Sequence, residues 1–242
     1  MQNTSILSIV IFVICLNFST AKSIAQSSDE KAIAIANKVV EAIGGWENYN
    51  NTRFIKWDFA KRVLYWNKWT GDVRIESPKD TLVILVNVNT LDGKAFENGK
   101  QVTDKAKLKQ LLTKGKKWWI NDSYWLVMPW KLQDPGVNLK HIATETLEGG
   151  TTTDVLQLTF NDVGVTPENK YYVYVDQTDH LIKQWAFFTK FDDTTPRFTM
   201  PWDNYQKTGN ILLSFNRSKF GPKNVEVKQE FNETLFTDLV YE

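Results

Sequence analysis

The chain has 242 residues, 42% of them hydrophobic, and its 29 basic side chains nearly balance 28 acidic ones. That length fits one domain, and the charge balance gives the chain as a whole no field for nucleic acid or an anionic membrane. Its ten tryptophans are unusual for this length. Each buries a large apolar area, so together they indicate either a very aromatic core or a lined cavity.

An apolar run opens the chain. Residues 6–18 are almost all apolar, too few to span a membrane comfortably, and Ser23-Ile24-Ala25 has the small-x-small pattern of a cleavage site. We therefore predict a signal peptide over residues 1–25, cleaved near Ala25, and an exported, periplasmic protein. A retained membrane anchor is the alternative.

The remaining residues, 26–242, are predicted to form a single domain, since no linker or repeat divides them. The one cysteine, Cys15, lies in the leader, so the rest of the chain can form neither a disulfide nor a thiolate metal site. The only histidines, His141 and His180, fall in a predicted strand and a predicted turn. The sequence predicts no metal site and no cofactor.

A helix is predicted at the start of the domain. Ser28 or Asp29 is suited to cap it, and Gly44-Gly45 to end it. The stripe that it would bury contains Ile33, Ala36, Val40 and Ile43.

From residue 55 onward the hydrophobic period changes to two, as Ile55, Trp57 and Phe59 alternate with less apolar neighbours. Further strands are predicted around Leu64–Trp66, Val73–Ile75, residues 81–88 and Leu91–Phe96, and then near 137–147, 152–160, 170–176, 180–191, 196–206, 210–215 and 224–236.

A helical insertion interrupts the strands over residues 103–128. The spacing predicts two helices, Lys105–Thr113 and Lys117–Met128, and Pro129 ends the second. Six lysines surround them, namely Lys105, Lys107, Lys109, Lys114, Lys116 and Lys117. They indicate either a solvated helix face or a docking surface for an acidic partner.

These elements predict a mostly β (α+β) fold. It is a curved antiparallel half-open β-barrel of about 11 strands, with an N-terminal helix and the two-helix insertion covering the concave face. Whether the interior is a filled core or a hollow cavity decides the function, because ligand pockets are mostly apolar with a few placed polar groups.

The sequence has no nucleophile elbow, zinc-protease motif, phosphate-binding glycine loop or dinucleotide fingerprint, so a non-enzymatic protein is predicted. Three alternatives stay open, one of them a purely structural or envelope-assembly role. A carbohydrate-binding surface would use exposed Trp69, Trp130, Trp202 and Tyr205. An unrecognised hydrolase would need a carboxylate facing the cavity, such as Asp58 or Glu76.

Two segments carry a resemblance to a known family. The segment from Asn121 to Leu132 (NDSYWLVMPWKL), followed by Asp134-Pro135-Gly136, is the more specific, and the segment from Trp66 to Arg74 (WNKWTGDVR) supports it. With the order of elements, they resemble the Lol lipoprotein-carrier (LolA/LolB-like) superfamily, and more narrowly an uncharacterised exported family of Bacteroidota type. The resemblance covers most of residues 30–236. It implies binding of acyl chains between a half-barrel and its helices.

We therefore predict a periplasmic binding protein for a hydrophobic or amphiphilic ligand, such as a lipid or a lipoprotein acyl chain. Its partners would be that amphiphile and possible envelope proteins, with no nucleic acid and at most transient membrane contact. The predicted binding residues are Trp57, Phe59, Leu64, Trp66, Arg74, Trp118, Trp125, Met128, Trp185 and Phe187, with Arg74 as the polar group at the rim.

Overall fold

The computed structural model describes residues 28–240, and its largest element is a seven-stranded antiparallel sheet in the order β14-β1-β2-β3-β4-β5-β6. The strands are β1 (Phe54–Phe59), β2 (Arg62–Asn67), β3 (Asp72–Ser77), β4 (Leu82–Asn87), β5 (Gly93–Glu97), β6 (Lys100–Gln101) and β14 (Lys223–Lys228). The last strand therefore returns to pair with the first. Residues 1–27, which include the predicted leader, lie outside the described part of the chain.

A second antiparallel sheet has five strands in the order β11-β10-β9-β8-β7, and a separate hairpin pairs β12 with β13. These strands are β7 (Val137–Thr146), β8 (Thr152–Phe160), β9 (Lys170–Asp176), β10 (Ile182–Phe188), β11 (Phe198–Pro201), β12 (Asp203–Thr208) and β13 (Ile211–Asn216). Within residues 28–240 the two sheets and the hairpin do not join into a closed barrel, so the predicted mostly β, half-open fold is confirmed.

The strand count differs from the prediction, with fourteen strands within residues 28–240 in place of about eleven. The predicted strand over 196–206 is two strands, β11 and β12, separated by Trp202. The Trp202 amide donates to the carbonyl of Lys183 at 2.7 Å, and its indole is fully buried. The buried Trp202 lies where the chain leaves the five-stranded sheet at β11 and enters the hairpin at β12.

Three α-helices are present among residues 28–240: α1 (Glu30–Ala42), α2 (Gly45–Asn51) and α3 (Lys105–Val127). Asp29 caps α1 and Gly44 follows its end, as the sequence predicts. The short α2 was not predicted because its sequence, GWENYNN, is poor in helix formers. Tertiary contact stabilises it, since the Tyr49 ring stacks on Trp130 at 4.6 Å.

The predicted two-helix insertion is wrong in detail, because α3 is one continuous helix of 23 residues. Gly115, at the expected break, stays helical and faces β4. A Cβ there would lie 2.8 Å from Cγ2 of Ile84, so the glycine allows close approach of helix and sheet. The described part of the chain also contains three 3₁₀ turns, at Pro78–Asp80, Met128–Lys131 and Glu233–Phe236.

Two apolar clusters fill the space between helices and sheets. The first lies between α3 and the seven-stranded sheet and includes Trp57, Leu64 and Ile75, all without exposed surface. The second lies between α1 and the five-stranded sheet and includes Val39. Trp125, near the end of α3, packs against both clusters. The wall between the clusters is therefore the C-terminal part of α3.

Asp29 joins α1 to the edge strand β7. One carboxylate oxygen accepts from the Ala32 amide at 2.6 Å, and the other accepts from the His141 amide at 2.8 Å. Slight burial acts to raise the pKa of this carboxyl, but these two hydrogen bonds outweigh it and lower the pKa. Asp29 thus caps the helix and also satisfies an amide of an exposed sheet edge.

We expect Asp29→Ala to lower the free energy of unfolding by about 1–2 kcal/mol near neutral pH, the usual cost of a lost N-cap. The pKa of this carboxyl is lower in the folded protein than in the unfolded chain, where it is about 3.9. Such a carboxyl stabilises the fold at pH values above about 3.9, and that stabilisation is lost as the pH falls through its pKa in the folded protein. The difference in free energy of unfolding between the wild type and Asp29→Ala, measured by urea unfolding, should therefore become smaller in acid. The Asp29→Asn variant, which can still cap, is the control. A free-energy difference that stays constant with pH would contradict the capping role of the Asp29 carboxylate.

Candidate functional site

A half-open cavity of about 600 Å³ lies beside the C-terminal half of α3. Its other walls are one face of the five-stranded sheet and the loop over residues 161–169 between β8 and β9. The lining residues are mostly aromatic or aliphatic, and the main ones are Trp119, Ile120, Tyr124, Trp125, Val137, Phe160, Val163, Val165, Tyr171, Trp185, Phe187 and Phe198. This size and character are those of small-molecule sites.

The sheet wall is a set of packed rings on adjacent strands. Tyr171 of β9 and Phe198 of β11 are both paired with Phe187 of β10 in the ladders, so the three side chains share a face. Trp185, two residues from Phe187, shares that face and stacks on Tyr171 at 5.4 Å. Strand alternation thus produces a continuous aromatic surface on one side of the cavity.

The helical wall is locked to β2 by a buried ion pair. Arg62 donates through Nε and Nη2 to the two carboxylate oxygens of Asp122, both at 2.8 Å. The Asp122 side chain has no exposed surface. Burial raises the pKa of its carboxyl, and the hydrogen bonds and charge of Arg62 oppose that rise.

A second anchor lies at the end of α3. The carbonyl of Trp125 would accept from the amide four residues later, but that residue is Pro129, which has no N–H. The buried Arg217 donates to this carbonyl through Nη2 at 3.2 Å, and its guanidinium lies 3.1 Å from the ring centre of Trp202. Burial lowers the pKa of Arg217 to about 9, so it stays charged near neutral pH. A cation at a helix C-terminus is also favoured by the helix dipole.

Polar groups gather at one part of the cavity wall. Lys131 pairs with Asp134 at 3.2 Å, and its ammonium lies 5.9 Å from the Trp119 ring centre. Among the described residues, Asp134 supplies the one carboxylate of the lining. The Tyr124 hydroxyl is deeply buried, which raises its pKa well above the ordinary value, and Tyr171 and Asp134 add to the rise. Tyr124 is therefore neutral at physiological pH.

The loop over residues 161–169 forms the outer edge of the cavity. It is held at one end, where the Asn161 amide donates to the Gly136 carbonyl at 2.8 Å. At the other end Asn169 donates to the Thr166 hydroxyl at 2.6 Å. Between them Val165 lines the cavity with 45% of its surface exposed. Apolar side chains at the edge extend the cavity toward the surface.

Three of the predicted binding residues, Trp125, Trp185 and Phe187, line this cavity. Phe59 adjoins it, with its ring 5.3 Å from that of Trp125. Four others are packed within the two apolar clusters and are not part of the lining. They are Trp57, Leu64, Trp66 and Met128.

Two predicted residues lie elsewhere. Trp118 lines a shallow groove on the outer side of α3. Arg74 does not lie at the cavity rim, because strand alternation puts it on the face of β3 opposite the buried Val73 and Ile75. It is 2% exposed and donates to the carbonyls of Leu235, Asp238 and Leu239, so it fixes the C-terminal segment.

Sequence reasoning missed several lining residues, chiefly Trp119, Tyr124, Tyr171 and Phe198. The NDSYWLVMPW segment contains Tyr124, and Trp119 lies just before it. Tyr171 could have been found from its same-face position on a predicted strand. The loop valines carry no such signal, because a loop that covers a cavity has no hydrophobic period.

The alternative functions find little support in this geometry. Trp130 and Trp202 are 2% and 0% exposed, so the predicted carbohydrate platform does not form. Asp58 accepts a hydrogen bond from Asn224, and Glu76 from Arg74, and neither lines the cavity. Within residues 28–240 no group of His, Cys, Asp and Glu could hold a metal ion.

No family model matches the chain, and no curated protein matches it. Solved structures show low similarity. A LolA superfamily protein from Nitrosomonas europaea has 12% identity and a TM-score of 0.42, covering 86% of this chain and 97% of that one. A DUF1329 family protein from Desulfovibrio piger has 10% identity and a TM-score of 0.41, covering 85% and 96%. MucB in complex with MucA(peri) has 10% identity and a TM-score of 0.23, covering 86% and 59%.

A LolA superfamily protein, from the group that the sequence resembles, is thus among the similar structures. The narrower likeness to a Bacteroidota-type family stays a prediction. No helix within residues 28–240 has the length and apolar character needed to cross a membrane.

Proposed function

We propose that the protein binds a hydrophobic or amphiphilic molecule, such as a lipid or a lipoprotein acyl chain, in the cavity beside α3. The observation that carries this proposal is the half-open space of about 600 Å³ with an aromatic wall on two sides. Burying an acyl chain there would contribute roughly 0.8 kcal/mol for each CH₂ removed from water. Export to the periplasm, which the leader predicts, would place such a carrier in an aqueous compartment.

The polar groups of the wall suit the head of an amphiphile better than a pure hydrocarbon. Lys131 and Asp134 offer a cation and an anion beside the apolar wall. Trp119, Tyr124 and Trp185 each have a buried N–H or O–H without an acceptor among residues 28–240. An unsatisfied buried donor is unfavourable, so a ligand oxygen within reach of one would gain a hydrogen bond.

The proposed activity is binding without chemistry. The carboxylate of the lining, Asp134, is paired with Lys131, and the Tyr124 hydroxyl has a strongly raised pKa. Neither is poised as a general base or a nucleophile near neutral pH. Selection of a ligand would depend on the shape of the aromatic wall.

The test compares two isoleucine variants of the purified protein. Ile120 lines the cavity, whereas Ile142 is 41% exposed on β7 and is not part of the lining. A tryptophan at position 120 fills part of the space. We expect Ile120→Trp to weaken fatty-acid binding at least roughly tenfold, because the indole would displace about two CH₂ groups of the ligand at roughly 0.8 kcal/mol each. Ile142→Trp should bind as the wild type does.

Binding would be measured by calorimetric titration with a fatty acid, and by mass spectrometry of the protein and its lipid extract. Oligosaccharides serve as the negative control and should leave the tryptophan fluorescence of the protein unchanged. A wild-type protein that carries no bound lipid and takes up no fatty acid would rule the proposal out. Equal binding by both variants would show that the ligand occupies another site.

A further inference from the structure

We propose that the outer side of the N-terminal half of α3 docks the protein onto a surface of anionic phospholipid. This basic face consists of Lys105, Lys107, Lys109, Lys114, Lys116 and Lys117. It goes beyond the proposed ligand binding and does not depend on what occupies the cavity. Five of the six lysines are exposed, and Lys116 is half-buried.

The charge of this face is almost unopposed. Lys107 pairs with Glu97, but the other five lysines have no carboxylate within 4.0 Å among residues 28–240. The two acidic residues next to the face are engaged elsewhere. Asp104 caps α3 by accepting from the Lys107 amide, and Asp122 is buried against Arg62. Although the whole chain is close to neutral, this helix side is strongly positive.

At about 100° per residue, these lysines spread over the solvent-facing half of the helix, an arc of roughly 200°. At 1.5 Å per residue, residues 105–117 extend about 18 Å. Leu111, Leu112 and Gly115 face inward and are buried, whereas Lys109, Lys114 and Lys117 border the shallow outer groove. The face is therefore held in place by packing beneath it.

Trp118 lies at the border of the same groove, between two cations. The Arg62 guanidinium is 4.7 Å from its ring centre, and the Lys114 ammonium is 4.5 Å away. Tryptophan is enriched at the level of lipid headgroups, where an apolar ring with one polar N–H is favoured. A helix side rich in lysine with a tryptophan at its edge is typical of interfacial contact.

A lipid surface fits this face better than an acidic protein does. The lysines are long and spread over three turns, and the carboxylates of Glu97 and Asp104 beside them are already engaged, so neither is left to set the register of a shaped partner. A plane of anionic headgroups requires no register. The next turns of α3 line the cavity, so docking through this face would bring the cavity close to the lipid.

The test measures binding of the purified protein to vesicles of phosphatidylcholine with and without phosphatidylglycerol, by co-sedimentation. We expect binding only to the anionic vesicles, and weaker binding as salt is raised, because the Debye length falls to about 8 Å at physiological ionic strength. Replacing Lys109, Lys114 and Lys117 with glutamine should weaken this binding roughly 100-fold, at about one kcal/mol for each lysine near the surface.

The matched control replaces three exposed lysines elsewhere in the protein, Lys38, Lys190 and Lys207, with glutamine, which changes the net charge equally. All variants share the apolar run at residues 6–18, so any contribution from it cancels. The control should bind anionic vesicles as the wild type does. Equal loss in both triple variants, or equal wild-type binding to neutral and anionic vesicles, would overturn the proposal. Fatty-acid binding measured on the same variants should not change, which separates this result from the test of the cavity.

Discussion

Replacing Arg62 with alanine is expected to lower the free energy of unfolding by about 3–5 kcal/mol, the usual cost of leaving a buried charge without its partner. The Asp122 carboxylate has no exposed surface, whereas the Arg62 side chain is 15% exposed. Without Arg62, the carboxylate must stay unpaired in the interior or take up a proton, and both are unfavourable near neutral pH. The change should appear as a lower midpoint in urea unfolding.

Two further variants make this expectation specific. Asp122→Leu should cost less than Arg62→Ala, because the freed arginine can turn toward water and its neighbour Trp118. The double variant Arg62→Met, Asp122→Leu should recover most of the stability, since a buried ion pair can often be replaced by apolar side chains at little cost. If Arg62→Ala lost less than about 1 kcal/mol, the typical value for a surface pair, the pair would not be what locks α3 to β2.

Truncating Trp185 to alanine should have an effect of similar size, about 3–5 kcal/mol, as for other large buried aromatic residues. Trp185 is 2% exposed and touches the rings of Trp125, Tyr171 and Trp202. Its loss would add space next to the existing cavity. We expect the variant to unfold at lower urea concentration and to favour longer or bulkier ligands over the best wild-type ligand.

Trp69 provides the matched control for this truncation. It is 58% exposed, and its indole makes one hydrogen bond, to the carbonyl of Asn50 at 2.9 Å. Trp69→Ala should therefore change the free energy of unfolding by no more than about 1 kcal/mol and leave the order of ligand preference unchanged. If both variants lost a similar amount of unfolding free energy, the packing of Trp185 against its three neighbouring rings would not be what stabilises the core.

Local patterns predicted most of the strands. The alternation of Ile55, Trp57 and Phe59 corresponds to β1, where Trp57 is fully buried. Asp29 and Gly44 bound the first helix as expected. These features depend on neighbours in sequence, and so a single sequence contains their signal.

The parts that were missed depend on distant contacts. Gly115 looks like a helix break until Ile84 is seen 2.8 Å from where its Cβ would be. Arg74 looks like a rim residue because its strand neighbours are apolar, but the three carbonyls that it binds lie more than 160 residues further along the chain. Likewise the sequence indicated an aromatic interior, but the pairing of β9, β10 and β11 decides which rings face the cavity.

The pairing of β1 with β14 has a consequence for the time course of folding. Lys56 of β1 bonds to Glu226 of β14, 170 residues away, and Arg74 of β3 has its carbonyl partners in the last ten residues. Until residues 223–239 are present, β1 has an open edge and the three carbonyl contacts of Arg74 are not yet made. Contacts between such distant residues slow folding. We therefore expect the large sheet to be completed only after β14 has been synthesised.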